Sequence, residues 1–379
     1  MIKMEFPNNT IFRFRPYSPL SFKELLYGEI FFVSKDELND PYDTKNPSVF
    51  KADSVIYNRL LQYILNDKLS GFSFLKEKLN SINTQSIANY LAKGDLLYDD
   101  LVRVINSTDF ESIVINAFSI EESIGLSLAF IKRLKHFIHK YCGSHCYIAS
   151  FSKECNDPVM WSHYSLNHTG FCLCFSINEN KIVSKVKPSF LQSEYQFEEV
   201  TYQPINVTTN GFYCFPGAIY GQTIEEQERL NYWKIKRQSF LTKYTSWHYE
   251  KEIRIIHDDW LTDNASENGV MKKPVSDRTF YYDQKQLTGI ILGSKMNANN
   301  KGEIINAIIK LRENIKLDNN CLPVFVFYES LENTVDYKMT IKPINGLDIF
   351  NRQFDISLLE SKENEYQKMK EHYNRQLNK

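Results

Sequence analysis

The chain has 379 residues, 42% of them hydrophobic and 14% aromatic, which supplies ample apolar material for a folded core and excludes a predominantly disordered protein. Its 45 Lys and Arg residues oppose 46 Asp and Glu, so no global basic field draws it to nucleic acid or to an anionic membrane. No segment approaches the roughly 20 apolar residues of a membrane helix, no secretory-signal pattern opens the chain, and the seven cysteines are odd in number and scattered, so a cytoplasmic protein without membrane contact or disulfide framework is expected.

In chain order, Phe12 and Phe14 in "TIFRF" oppose Arg13 and Arg15, as in a half-buried strand. The next stretch predicts a short helix capped by Ser21 and stopped at Gly28, the strand "EIFFVS", and a turn at Asn39-Asp40-Pro41. Residues 51–140 carry apolar residues at helical spacing with almost no proline, which predicts an inserted helical subdomain. Strand signals return in "CYIASFS", "GFCLCFSI" and "FEEVTYQP", with the helix-like "DPVMWSHYS" between the first two. A second helical stretch, "TIEEQERLNYWKIKRQSFLTKY", leads to "SWHYEKEIRIIH", whose composition predicts a strand. "LTGIILG" and "LPVFVFYES" then flank the helix "NKGEIINAIIKLREN".

The expected fold is α+β: residues 1–50 and 141–345 form a core around a mixed or antiparallel sheet, 51–140 form the helical insertion, and 346–379 form a charged helical tail. The insertion or the tail would serve to bind a partner protein.

Several machines are missing: there is no Walker loop, no Gly-x-Gly-x-x-Gly after the first strand, no Gly-x-Ser-x-Gly elbow and no His-Glu-x-x-His. Cys142, His145, Cys146 and Cys155 include a Cys-x-x-x-Cys spacing, but no second pair follows, and no metal is expected.

"HYEKEIRIIH" is more informative. In a strand, Glu250, Glu252 and Arg254 share one face, with the two carboxylates about 7 Å apart. Such a pair can divide labour, one stabilising a developing cation and the other taking a proton, or it can form a salt-bridge ladder closed by Arg254. Trp161 and Tyr164, three apart on a short helix, share a face that would cover a planar ring, beside Ser162, His163 and His168.

Three stretches taken together, Asn39-Asp40-Pro41-Tyr42-Asp43, Met160-Trp161-Ser162-His163-Tyr164 and Tyr249-Glu250-Lys251-Glu252-Ile253-Arg254, resemble the bacterial DUF2971 family over about residues 10–330. That uncharacterised family is often met near phage-defence genes. The chain is also similar, more weakly, to ADP-ribosyltransferases, which place an Arg or His on a first strand, a Ser or Tyr on a middle strand and a Glu, often in Glu-x-Glu, on a later one.

This second resemblance implies NAD as co-substrate. It implies Glu252 and Glu250 with Ser162 or Tyr164 as catalytic residues, and Arg13 or Arg15 on the pyrophosphate. Trp161, Tyr164 or Trp247 would stack on a ring, with Asn39, Asp40, His163, His168 and Arg254 completing the nucleotide site. Ser162 departs from the pattern by falling in a predicted helix.

The expected function is an NAD-consuming, toxin-like defence effector modifying a protein or nucleic-acid acceptor. Two alternatives are a nuclease using Asp40, Asp43, Glu250 and Glu252 around a divalent ion, with "YWKIKRQSFLTKY" following a phosphate backbone, and a non-catalytic sensor or scaffold.

Overall fold

The computed structural model describes residues 6–44, 48–66, 82–118, 123–143, 145–186, 191–204, 208–219, 226–259, 265–266, 268–313, 325–350 and 353–354. Ten strands form the central sheet: β1 (Thr10–Arg15), β2 (Val33–Ser34), β3 (His145–Ser152), β4 (Phe171–Ser176), β5 (Glu198–Glu199), β6 (Glu252–Asp259), β7 (Leu287–Leu292), β8 (Phe325–Asn333), β9 (Lys338–Phe350) and β10 (Gln353–Phe354). Their order is β5-β6-β3-β1-β4-β7-β8-β9-β10, with β2 also paired to β3. Every pairing is antiparallel except that of β7 with β8.

The fold is α+β, as the alternation of patterns predicts. The parallel β7–β8 pair is the strand-helix-strand unit read from "LTGIILG" and "LPVFVFYES", joined through α9. The helices are α1 (Pro19–Tyr27), α2 (Ser54–Asn66), α3 (Thr84–Leu91), α4 (Tyr98–Ile105), α5 (Thr108–Ala117), α6 (Ser123–Cys142), α7 (Pro158–Tyr164), α8 (Glu226–Ser239) and α9 (Ala298–Glu313).

Helix α1 starts one turn earlier than expected. Ser18, not Ser21, is the N-cap, because Pro19 fits the first helical position and the Ser18 hydroxyl accepts the Ser21 amide. It ends at Gly28, whose φ of 67° is the left-handed cap that the sequence indicates.

Strand β1, expected to be half-buried, is buried on both faces, because α1 and α9 cover one face of the sheet there and α7 the other. Ile11, Leu173, Phe175, Ile253 and Ile290 meet Leu25 of α1 and Ile304 and Ile308 of α9 on one face of the sheet. On the other, Phe12, Phe14, Cys172, Cys174 and Ile291 pack under Met160 and Trp161 of α7. The helices of residues 54–142 have a core of their own, built on Tyr57, Leu60, Phe110, Val114, Phe130 and Leu134. Phe212, Phe215 and Tyr232 complete that core from a distant part of the chain, so the helical region is made of two sequence segments.

The expected helical tail is corrected at its start: β9 runs through residue 350 and β10 follows, because these residues pair with the sheet edge. Residues 355–379 lie outside the described residues. Among the described residues no helix is long and apolar enough to cross a membrane.

One tight junction positions the site. Leu166, Asn167 and His168 have φ values of 49°, 52° and 70°, a left-handed turn between α7 and β4. Gly170 follows, and a Cβ there would lie 2.2 Å from the Arg15 carbonyl oxygen and 2.9 Å from that of Ser165. Gly170→Ala should therefore displace the end of β1 and lose about 1–3 kcal/mol of stability, which chemical denaturation would measure.

Candidate active site in a cleft between two strands

Strands β1 and β3 share a single register pair, Phe12 with Ser152. Beyond it β3 pairs instead with β2, through Ile148 to Val33 and Tyr147 to Ser34. The two strands therefore part, and a side chain crosses the gap: Arg13 Nη1 donates to the Ser150 carbonyl at 3.3 Å. A cavity of about 250 Å³ occupies the opening, lined by Arg13, Arg15, Asn39, Asp43, Ser150, Tyr164, Lys243, Glu250 and Glu252 among others. The register puts Arg13 and Arg15 on the face opposite Glu252, since Phe12, Ser152 and Glu252 lie opposite one another. They line one cavity because the sheet is open there.

On the acidic side, Glu252 is the first residue of β6, whereas Glu250 ends a 3₁₀ turn of Thr245–Glu250. Between them Lys251 is left-handed, with φ 44°, so the expected strand alternation through Glu250 does not occur. Both carboxylates nevertheless reach the same place. Lys243 Nζ donates to Glu250 Oε2 at 2.7 Å and to Glu252 Oε2 at 3.4 Å.

Arg254 is fully buried and holds Glu252 with Nε on Oε1 at 2.7 Å and Nη2 on Oε2 at 2.8 Å. The same guanidinium holds Asp43, through Nη1 to Oδ1 at 2.9 Å and Nη2 to Oδ2 at 2.5 Å. Tyr164 donates to Glu250 Oε1 at 2.5 Å, and Asn39 Nδ2 donates to the Tyr164 hydroxyl at 2.8 Å. Backbone bonds fix the frame: the Glu252 amide donates to the Tyr202 hydroxyl, and the Ser152 hydroxyl donates to the Glu250 carbonyl.

The two carboxyls are displaced in opposite directions. Burial, and then the charge of Glu252, push Glu250 up to about 7. Burial also opposes ionisation of Glu252, but Arg254 and then Lys243 outweigh it and hold Glu252 at about 2. Burial and the Glu250 charge raise Tyr164 above its ordinary value, which keeps its phenol a donor. At neutral pH the site therefore holds a permanent anion beside a carboxyl able to give or take a proton.

The basic side is less neutralised. Arg13 is buried, its guanidinium 5.2 Å from the Phe151 ring centroid, and it makes no ion pair with any described residue. Burial, and then the charge of Arg15, lower it to about 10, still above any physiological pH. Arg15 pairs with Glu24 at 2.5 Å, and its Nε is buried without a hydrogen-bond partner among the described residues.

Other residues named from the sequence lie elsewhere. Trp161 cannot stack on a ligand: it is wholly buried, edge-on to Phe14, and its indole N–H donates to the Cys155 carbonyl. The expected shared face with Tyr164 is split, Trp161 entering the core and Tyr164 the cleft. Ser162 turns to Asn167, His163 lies 3.2 Å from the Tyr249 hydroxyl, and His168 sits in the left-handed turn; none lines the cavity. Trp247 presents its ring to Lys243 Nζ at 4.7 Å. Asp40 caps its own turn through the Tyr42 amide, outside the cavity lining. Arg254 is no ligand contact either, because Asp43, Glu252 and the Phe240 carbonyl occupy its donors.

Lys243 is not among the site residues expected from the sequence, where it belongs only to the aromatic-basic stretch "YWKIKRQSFLTKY", and Asp43 is expected beside a divalent ion and not as Arg254's partner. Among the described residues no group of three or more His, Cys, Asp and Glu could hold a metal ion. For the four acids of the nuclease alternative the reason is local: Asp43 and Glu252 are engaged by Arg254, Glu250 by Lys243, and Asp40 points elsewhere.

A family model described as a protein of unknown function (DUF2971) matches residues 160–255. This span contains Tyr164, Lys243, Glu250, Glu252 and Arg254 but not the arginines of β1, and it is narrower than the motifs suggest. No curated protein and no solved structure matches the chain. Nothing in these comparisons bears on the resemblance to ADP-ribosyltransferases.

Proposed function

We propose that the cleft binds a phosphorylated ribose compound, with NAD as the leading substrate, and breaks its N-glycosidic bond. The observation that carries this reading is the oppositely displaced pair, Glu252 held anionic and Glu250 near neutrality, in one cavity with Arg13 and Arg15. Cleavage of the bond between ribose and nicotinamide leaves its electron pair on the departing base and positive charge at the ribose carbon. Glu252, fixed by Arg254, supplies a preorganised negative charge for that centre. Oxygen of water, or of a protein or nucleic-acid acceptor, then bonds to the carbon, and its proton passes to ionised Glu250.

Arg13 and Arg15 suit the phosphates, because guanidinium forks bind phosphate oxygens with charge-assisted hydrogen bonds. Tyr164, rather than Ser162, reaches the carboxylates, but it does so from helix α7 and not from the middle strand of the transferase pattern. The cavity is below the roughly 300–1,000 Å³ that encloses a drug-sized ligand, so it suits the nicotinamide ribose half, with the remainder of the dinucleotide at the mouth. An effector that depletes NAD fits the defence role implied by the family resemblance.

Nicotinamide release and melting temperature with added NAD test the reading. Arg13→Gln should raise KM at least about tenfold, the loss of one charge-assisted contact. Folded wild-type protein that neither melts higher with NAD nor releases nicotinamide, with protein and nucleic-acid acceptors supplied, would overturn it.

A further inference from the structure

We propose that Lys243 is the positioning residue of the carboxylate pair: its ammonium stands between Glu250 and Glu252 and keeps Glu250 in the ionised form that accepts a proton. This rests on the reading of Glu250 as proton acceptor, but its test does not need turnover.

The geometry is that of a shared cation. Lys243 Nζ lies 2.7 Å from Glu250 Oε2, 3.4 Å from Glu252 Oε2 and 3.8 Å from Asp43 Oδ2. It is buried, and the Trp247 ring centroid 4.7 Å away closes one side. Its backbone is fixed by a two-residue parallel pairing, Thr201 with Thr242 and Tyr202 with Lys243. The same Tyr202 accepts the Glu252 amide, so the strand that places Lys243 also anchors the carboxylate beside it.

The three carboxylates do not depend equally on this lysine. Arg254 engages both oxygens of Glu252 and both of Asp43, so each keeps a cation if Lys243 is removed. Glu250 pairs with no other cation among the described residues.

The groups facing Glu250 are Tyr164 from α7, with Asn39 behind it, Glu252 from β6, Tyr202 and Tyr249. These are neutral donors or anions, and none can replace the ammonium. Without Lys243 the buried acids repel one another, and Glu250 is the one that binds a proton and ceases to accept one.

The experiment compares wild type, Lys243→Met and Lys243→Arg, each with and without Glu250→Gln. The melting-temperature gap that Glu250→Gln opens is followed against pH. A positioning role predicts that the midpoint of this gap moves alkaline by about one pH unit in Lys243→Met and returns in Lys243→Arg. The acid limb of nicotinamide release should move with it. A merely structural role lowers melting at every pH and leaves the midpoint in place, and that result in folded Lys243→Met would overturn the proposal. If the methionine variant does not fold, Lys243→Gln removes the charge, keeps a hydrogen bond to Glu250 and carries the same comparison. Absence of nicotinamide release from wild type would sink the glycosidic reading, while the midpoint still decides the role of Lys243.

Discussion

Arg254→Met should lower the unfolding free energy by about 3–5 kcal/mol, the cost of stripping the cation from a buried ionic network. Arg254 is 0% exposed and supplies two hydrogen bonds to Glu252, two to Asp43 and one to the Phe240 carbonyl at 2.7 Å. Methionine fills part of the volume but leaves Glu252 and Asp43 buried with Lys243 as their nearest cation. Their ionised forms are then poorly solvated, so part of the loss should be recovered in acid, where the carboxyls protonate.

Urea unfolding at pH 5 and pH 7.5 would show this, with a larger deficit at the higher pH. The exposed Lys153–Glu199 pair is the contrast: breaking that 2.8 Å ion pair should change stability by less than about 1 kcal/mol. Equal effects from the two pairs would mean that the buried network does not organise the site.

Glu250→Gln should change the pH dependence of stability and remove the proton acceptor. Glu250 is raised to about 7 from an ordinary value of 4.5, so between those pH values the folded protein holds a proton that the unfolded chain has released. Its contribution is fully present below pH 4.5 and is lost as pH rises through 7. Glutamine resembles the protonated carboxyl and does not titrate. The variant should therefore match wild type near pH 4.5 and gain on it by up to about 3 kcal/mol above pH 7.

Glu252 has the opposite sign. Held at about 2, it contributes stability above pH 4.5 that disappears as pH falls through 2. Nicotinamide release should fall about 10²–10⁴-fold in Glu250→Gln, the usual loss on removing a general base. A stability difference that stays flat from pH 4.5 to 7.5 would contradict the assignment of the raised carboxyl.

Elements governed by short-range pattern were legible in the sequence. Phe12 and Phe14 alternate with the arginines because a strand has period two, and Gly28 ends α1 because it tolerates a left-handed φ. The apolar spacing of residues 51–140 predicted helices, and "LTGIILG" and "LPVFVFYES" predicted the unit that became β7, α9 and β8. Glu252 and Arg254 share a face for the same period-two reason.

Tertiary structure decided where those side chains go. Trp161 and Tyr164 look equivalent on a helical wheel, yet Cys155 and Phe14 draw one into the core while Asn39 and Glu250 hold the other at the cleft. Glu250 leaves the strand because Lys251 is left-handed, an uncommon conformation for a residue other than glycine that no local pattern announces. Asp43 meets Arg254 across 211 residues of sequence, and Lys243 meets both glutamates only where two short strands pair. The cleft itself exists because β2 replaces β1 along the edge of β3. Periodicity records which residues share a face of one element, whereas charge pairing and strand replacement are long-range choices made when the sheet assembles.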